Sequence, residues 1–208
     1  MSEGFFAFPY ESATHRTAKR IAICHAGKQA MERHILLVGY RGSGKSTVAR
    51  ELARLLGLPR LDTDQLIEAS AGRSIQQLFA ERGEAGFRDL ETECLLSLRQ
   101  QPASVVSLGG GAVVRPGNRP LIGSLGTVIW LDGRPETLTR RIAGDPRSAQ
   151  TRPALTDGSL EQEVIQLLAQ REPWYREVAD HRIEVDDASA LPIAESIRTW
   201  LQSQTDQP

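Results

Sequence analysis

The sequence predicts an α/β fold in three layers: a parallel sheet covered by helices on both faces. Three observations carry this. Short apolar runs at Ile35 to Val38, Ser104 to Leu108 and Thr127 to Leu131 alternate with segments of helical periodicity, the pattern of strands buried on both sides. The stretch ILLVGYRGSGKSTVARELARLLG, Ile35 to Gly57, joins one such run through a glycine-rich loop to a helix. The 208 residues are enough for one such domain with a full core.

In chain order, Ile35 to Val38 is the first strand. Val48, Leu52, Leu55 and Leu56 recur at helical spacing after it, and Gly57 stands where that helix stops. Leu58 to Leu61 reads as a short second strand and Gln65 to Ser70 as a helix. Ser74 opens another helix, with Gln77 completing a capping box and Gly83 ending it. Glu84 to Gln101 forms a longer amphipathic helix with Phe87, Leu90 and Leu98 on its core face. Cys94 falls on that face as a core thiol, and Arg88 points off it. Strands three and four are Ser104 to Leu108 and Thr127 to Leu131. Pro135 starts a helix carrying Leu138 and Ile142. Asp145 to Asp157 is polar and Arg-rich and reads as a mobile loop. Ser159 and Gln162 make a second capping box, opening a helix to about Arg171. His181 to Val185 is the last strand, and Ile193, Ile197, Trp200 and Leu201 stripe a closing helix.

The loop Gly39-Tyr40-Arg41-Gly42-Ser43-Gly44-Lys45-Ser46 fits G-x-x-x-x-G-K-[ST], a phosphate-binding P-loop in the strand–loop–helix context it needs. Its backbone N–H groups converge on phosphate oxygens, and the helix N-terminus adds partial positive charge. Lys45 is expected to reach the β- and γ-phosphates of ATP, and the Ser46 hydroxyl to ligate Mg²⁺. From Met31 onward Lys45 is the only lysine among many arginines, which suits a compact point charge on phosphate.

Three further clusters surround the acceptor. Asp62 and Asp64, in LDTDQLIE, follow the second strand, where open α/β sheets gather their ligands. Each is a candidate for supporting Mg²⁺, for taking a hydroxyl proton, or for capping the next helix. Arg88 lies in GEAGFRDLE, where a lone helical arginine reads as a surface cation or as part of an i, i+4 pair. Gly109, Gly110 and Gly111 follow the third strand, which lacks the carboxylate many P-loop enzymes carry there. Asp62 is the candidate for that role.

Together, GYRGSGKST, DTD, GRSIQQLF, GEAGFRDLE, SLGGGAV, RPAL and REPWYREVAD resemble the shikimate kinases, over essentially all of Ile35 to Val185. The resemblance implies a five-stranded parallel sheet in the order 2-3-1-4-5 with a mobile lid over about 145–157. It also implies transfer of the ATP γ-phosphoryl group to the 3-hydroxyl of shikimate, with Mg²⁺. In this reading Asp64 is base or positioner, and Arg88 and Arg171 hold the shikimate carboxylate. Gly109, Gly110 and Gly111 line the ring. Gly42, Ser43, Gly44, Lys45, Ser46 and Thr47 hold the nucleotide, Ser46 and Asp62 the metal. Arg152 swings onto the phosphates, and Arg140 or Arg141 flanks the adenine. The chain departs from the family in a longer segment between Arg141 and Arg152. It also reads DDASAL after the last strand, without the Arg or Pro often found there.

The alternatives are another small hydroxy-acid kinase, such as one for gluconate, and a non-catalytic sensor. A sensor should have lost Lys45, Asp64 or Arg152, and all three are present. With 25 basic and 26 acidic residues, no nucleic-acid or membrane-surface partner is implied. No apolar run reaches transmembrane length, and two cysteines make no disulfide framework. A cytoplasmic monomer is expected. Residues 1–30 hold three of the five phenylalanines without clear periodicity. They are expected to be a disordered extension, or to precede a true start at Met31, with the kinase domain over 31–208.

Overall fold

The run His34–Val38 is buried at every position, as a strand covered on both faces requires, and forms β1. The computed structural model describes residues 33–145 and 159–205. Around β1 lie β2 (Arg60–Asp62), β3 (Val105–Ser107), β4 (Gly126–Asp132) and β5 (His181–Glu184), all parallel, in the order β2-β3-β1-β4-β5. This is the order the resemblance implied.

Alternation along the strands divides the core in two. Ile35, Leu37, Val105, Ile129 and Leu131 pack against Val48 and Leu52 of α1 (Lys45–Leu56) and Ile193 and Ile197 of the closing helix Ala190–Thr205. Leu36, Val38, Val106, Val128 and Trp130 face the other way. They meet Leu95 and Leu98 of α3 (Ile75–Leu98), Ile122 and Leu125 of α4 (Asn118–Leu125), and Tyr175 and Val178 of α6 (Leu160–Val178). The remaining helices are α2 (Thr63–Ala71) and α5 (Pro135–Ala143), with α7 the closing Ala190–Thr205.

Both capping boxes form: Ser74 with Gln77, and Ser159 with Gln162. Three boundaries and one helix differ from expectation. The second strand starts later because the Leu58 N–H closes the end of α1 on the Ala53 carbonyl. The two helices expected on either side of Gly83 run as one element, α3, with the break surviving as a kink at Gly83 (φ 66°, ψ −178°). Helix α6 continues through Pro173 to Val178, well past Arg171. A proline there removes one helical N–H, yet burial of Tyr175 and Val178 against the sheet holds the last turns in place. Helix α4 was not anticipated, because Gly117, Pro120 and Gly123 break up its periodicity. The loop Asp145 to Asp157 lies, beyond Asp145, outside the described residues, as do Arg152 and residues 1–30.

Candidate active site

At the carboxyl end of β1 the chain turns through Gly39–Gly44 into α1, whose N-terminus points into a cavity of about 520 Å³. Gly42, Gly44, Lys45, Ser46 and Thr47 line it. Lys45 Nζ donates to the Gly39 and Tyr40 carbonyls, both at 2.9 Å, so the ammonium is held at the loop it serves. Ser43 is buried, and its hydroxyl donates to the Tyr40 carbonyl at 2.8 Å. Its side chain thus shapes the loop, leaving the backbone to face phosphate. A larger concavity, about 730 Å³, lies over Asp132, Arg134 and Arg182. It contains no part of the P-loop, so chemistry and not size selects the site.

Asp62 caps with one carboxylate oxygen and meets Ser46 with the other. Oδ1 caps α2, accepting the N–H groups of Asp64 at 3.2 Å and Gln65 at 3.5 Å. Oδ2 accepts the Ser46 hydroxyl at 2.7 Å. Ser107, at the position where a carboxylate was missed, brings its own hydroxyl within 3.3 Å of Ser46 Oγ. A carboxylate and hydroxyls are hard oxygen donors of the kind Mg²⁺ takes. No group of three acidic, His or Cys side chains fit for a metal exists among the described residues. Asp64 sits in the first turn of α2 and lines the same cavity.

Arg88 corrects the sequence reading. It does not point to solvent: only 5% of it is exposed. Its guanidinium donates to Glu91 at 2.6 Å and to Glu84 at 2.9 Å. Burial alone lowers the pKa of this group, but the two carboxylates outweigh it and hold Arg88 above its usual value. Glu91 is buried, whereas the Glu84 side chain is 58% exposed. The guanidinium lies against Gly111, where an added Cβ would meet Nη1 at 2.1 Å. Any side chain at this position would force the guanidinium to move. From the other side, Arg171 Nη1 donates to the Gly110 carbonyl at 3.3 Å and stands 5.6 Å over the Tyr40 ring. The Nε groups of both Arg88 and Arg171 are buried with no acceptor among the described residues. Two buried guanidinium groups therefore converge on one glycine turn with donors to spare.

Arg141 lines the cavity on its far rim, and donates to the Val185 carbonyl at 2.7 Å. Of the pair Arg140 and Arg141, it is the one at the site. Cys94 is a buried thiol, pushed up to about 12 by desolvation and by the charges of Asp64, Glu91 and Asp62. It stays protonated and is no nucleophile.

Several residues had escaped the sequence reading. Arg41 of the P-loop forms an ion pair with buried Glu163 in the first turn of α6. Glu91, Ser107, Thr63 and Tyr175 surround the glycine turn. The i+3 spacing of Glu91 from Arg88 was a legible signal; the others pair across distant segments and left none.

The shikimate kinase family profile matches residues 41–202. The shikimate kinase of Rhodopirellula baltica is 47% identical over 151 residues, 73% of this chain and 81% of that one. That of Syntrophus aciditrophicus is 40% identical over 181 residues, covering 83% and 93%. Among solved structures, shikimate kinase from Acinetobacter baumannii in complex with shikimate is 38% identical. It superposes with a TM-score of 0.79 over 86% of this chain and 99% of that one. Profile, relatives and sheet order all agree over the same stretch that holds the P-loop, the two acids and the glycine turn, and the chain belongs to the shikimate kinase family.

Proposed function

We infer that this protein transfers the γ-phosphoryl group of ATP to the 3-hydroxyl of shikimate. The family implies ATP as donor, and the Acinetobacter baumannii relative is a complex with shikimate. Within this chain, the supporting observation is the pair of buried arginines with unused Nε donors, set against the glycine turn whose Gly110 lines the same cavity as the P-loop and Asp64. Forked guanidinium donors suit a carboxylate.

In the reaction, the backbone of Gly42 to Thr47 cradles the phosphates and Lys45 draws charge from the transferring group. Ser46 and Asp62 hold Mg²⁺, which neutralises phosphate charge when bound. Arg88 and Arg171 fix the shikimate carboxylate, while Gly109, Gly110 and Gly111 pass along its ring. Asp64 accepts the proton of the attacking hydroxyl. Arg152 adds positive charge to the phosphoryl oxygens from the segment after α5, and Arg141 flanks the adenine. One kinase domain over 31–208 acts as a monomer in the cytoplasm, with 145–157 as its lid. No helix among the described residues is long and apolar enough to cross a membrane.

Binding of shikimate and of its methyl ester to wild type and Arg88→Ala tests the assignment. The substitution should weaken shikimate binding by about 2–5 kcal/mol, as for removing one partner of a desolvated charge pair. The ester should bind poorly to both. An equal loss for acid and ester would contradict the carboxylate contact.

A further inference from the structure

We propose that Thr63 and Tyr175 are positioning residues that clamp the Gly109–Gly111 turn from two sides and so fix shikimate relative to Asp64. This rests on the function proposed above and adds two groups that touch neither substrate nor nucleotide.

Thr63 is the first residue of α2, between Asp62 and Asp64, and only 4% of it is exposed. Its hydroxyl accepts the Gly109 N–H at 2.9 Å and donates to the Ser107 carbonyl at 3.4 Å. A hydroxyl can do both at once, and here it ties the exit of β3 to the start of α2. Tyr175 is 1% exposed and lies four residues beyond Arg171, on the same face of α6. Its phenol donates to the Gly110 carbonyl at 2.6 Å, the acceptor that also takes Arg171.

The two bonds hold adjacent residues of one turn, at an N–H on one side and a carbonyl on the other. Glycine backbone is the least restrained of any residue, so three in succession need outside restraint to present a fixed surface. Buried backbone groups must also find partners. Thr63 serves both needs and ties the turn to Asp64, the next residue of its own helix. Release of the turn should misplace the acceptor hydroxyl while the P-loop keeps its own bonds from Lys45 and Ser43.

The test is steady-state kinetics of the full chain carrying Thr63→Val, Thr63→Ser, Tyr175→Phe and the double change Thr63→Val with Tyr175→Phe. Valine keeps the shape and loses the hydroxyl. Thr63→Val should raise KM for shikimate about tenfold, the value of one hydrogen bond, with a lower kcat and an unchanged KM for ATP. Thr63→Ser should restore both constants. Tyr175→Phe should act in the same direction, and the double variant should lose less than the product of the two. A Thr63→Val enzyme with lower Tm but wild-type KM and kcat would overturn the clamp, leaving Thr63 a packing residue only. Should Thr63→Val fail to fold, wild-type constants in Tyr175→Phe would overturn it equally. Absence of turnover on shikimate in the wild type would instead refute the acceptor, a distinguishable outcome.

Discussion

Gly111→Ala separates folding from function. The new methyl would sit 2.1 Å from Arg88 Nη1, against an ordinary contact of about 3.5 Å. The guanidinium must therefore recede by about 1.4 Å. It is the far end of a side chain, so the fold can yield, and the cost should fall near the low end of the ~1–3 kcal/mol typical of overpacking. That corresponds to a loss of about 2–4 °C in Tm. Arg88 itself cannot shift without consequence, since Glu91 holds it at 2.6 Å from a buried position. A misplacement on the order of 1 Å costs about a hundredfold in catalysis. Coupled ADP release should show kcat/KM for shikimate falling by about that factor, mostly through KM, while KM for ATP stays unchanged. Gly110→Ala is the contrast. Its Cβ would meet nothing closer than 3.4 Å, so Tm should hold while shikimate turnover falls. A Gly111→Ala enzyme with wild-type KM for shikimate would refute the placement of Arg88 at the acceptor.

Asp64→Asn should lower kcat by roughly a hundredfold or more, the range for losing a general base, with ATP binding retained; near-normal turnover would reduce Asp64 to a place in the first turn of α2. Cys94, in a Cys24→Ser background, should resist iodoacetamide at pH 8.5 until the chain is unfolded, because its folded value is about 12. The folded thiol keeps a proton that the unfolded one releases above about pH 8.5. The stability linked to it is therefore whole below that pH and declines as pH rises toward the folded value. Urea midpoints should fall more between pH 8.5 and 10.5 for this protein than for Cys94→Ala, and equal slopes would contradict the assignment.

Local signals carried far in the sequence. The P-loop, both capping boxes and the break at Gly83 depend on residues within a few positions of one another, and each forms as read. The alternation of Ile35, Leu36, Leu37 and Val38 between two cores follows from an uninterrupted apolar run. Tertiary pairing was not legible in the same way. Arg88 read as a helix-surface cation because its burial is created by Gly111 and the glycine turn, far along the chain. Thr63 bonds Gly109 across 46 residues. Arg41 meets Glu163 across 122 residues. The helix read as ending at about Arg171 runs on to Val178, where Tyr175 and Val178 are buried against the sheet.

The acceptor is tested most directly by kcat/KM for shikimate, quinate and gluconate, measured in parallel as ADP release with and without Mg²⁺. In the proposed function, Arg88, Arg171 and the glycine turn seat the ring acid, and Ser46 with Asp62 would hold the metal. Turnover should require shikimate and Mg²⁺ together, with gluconate far slower. Equal or faster turnover on gluconate would contradict the account.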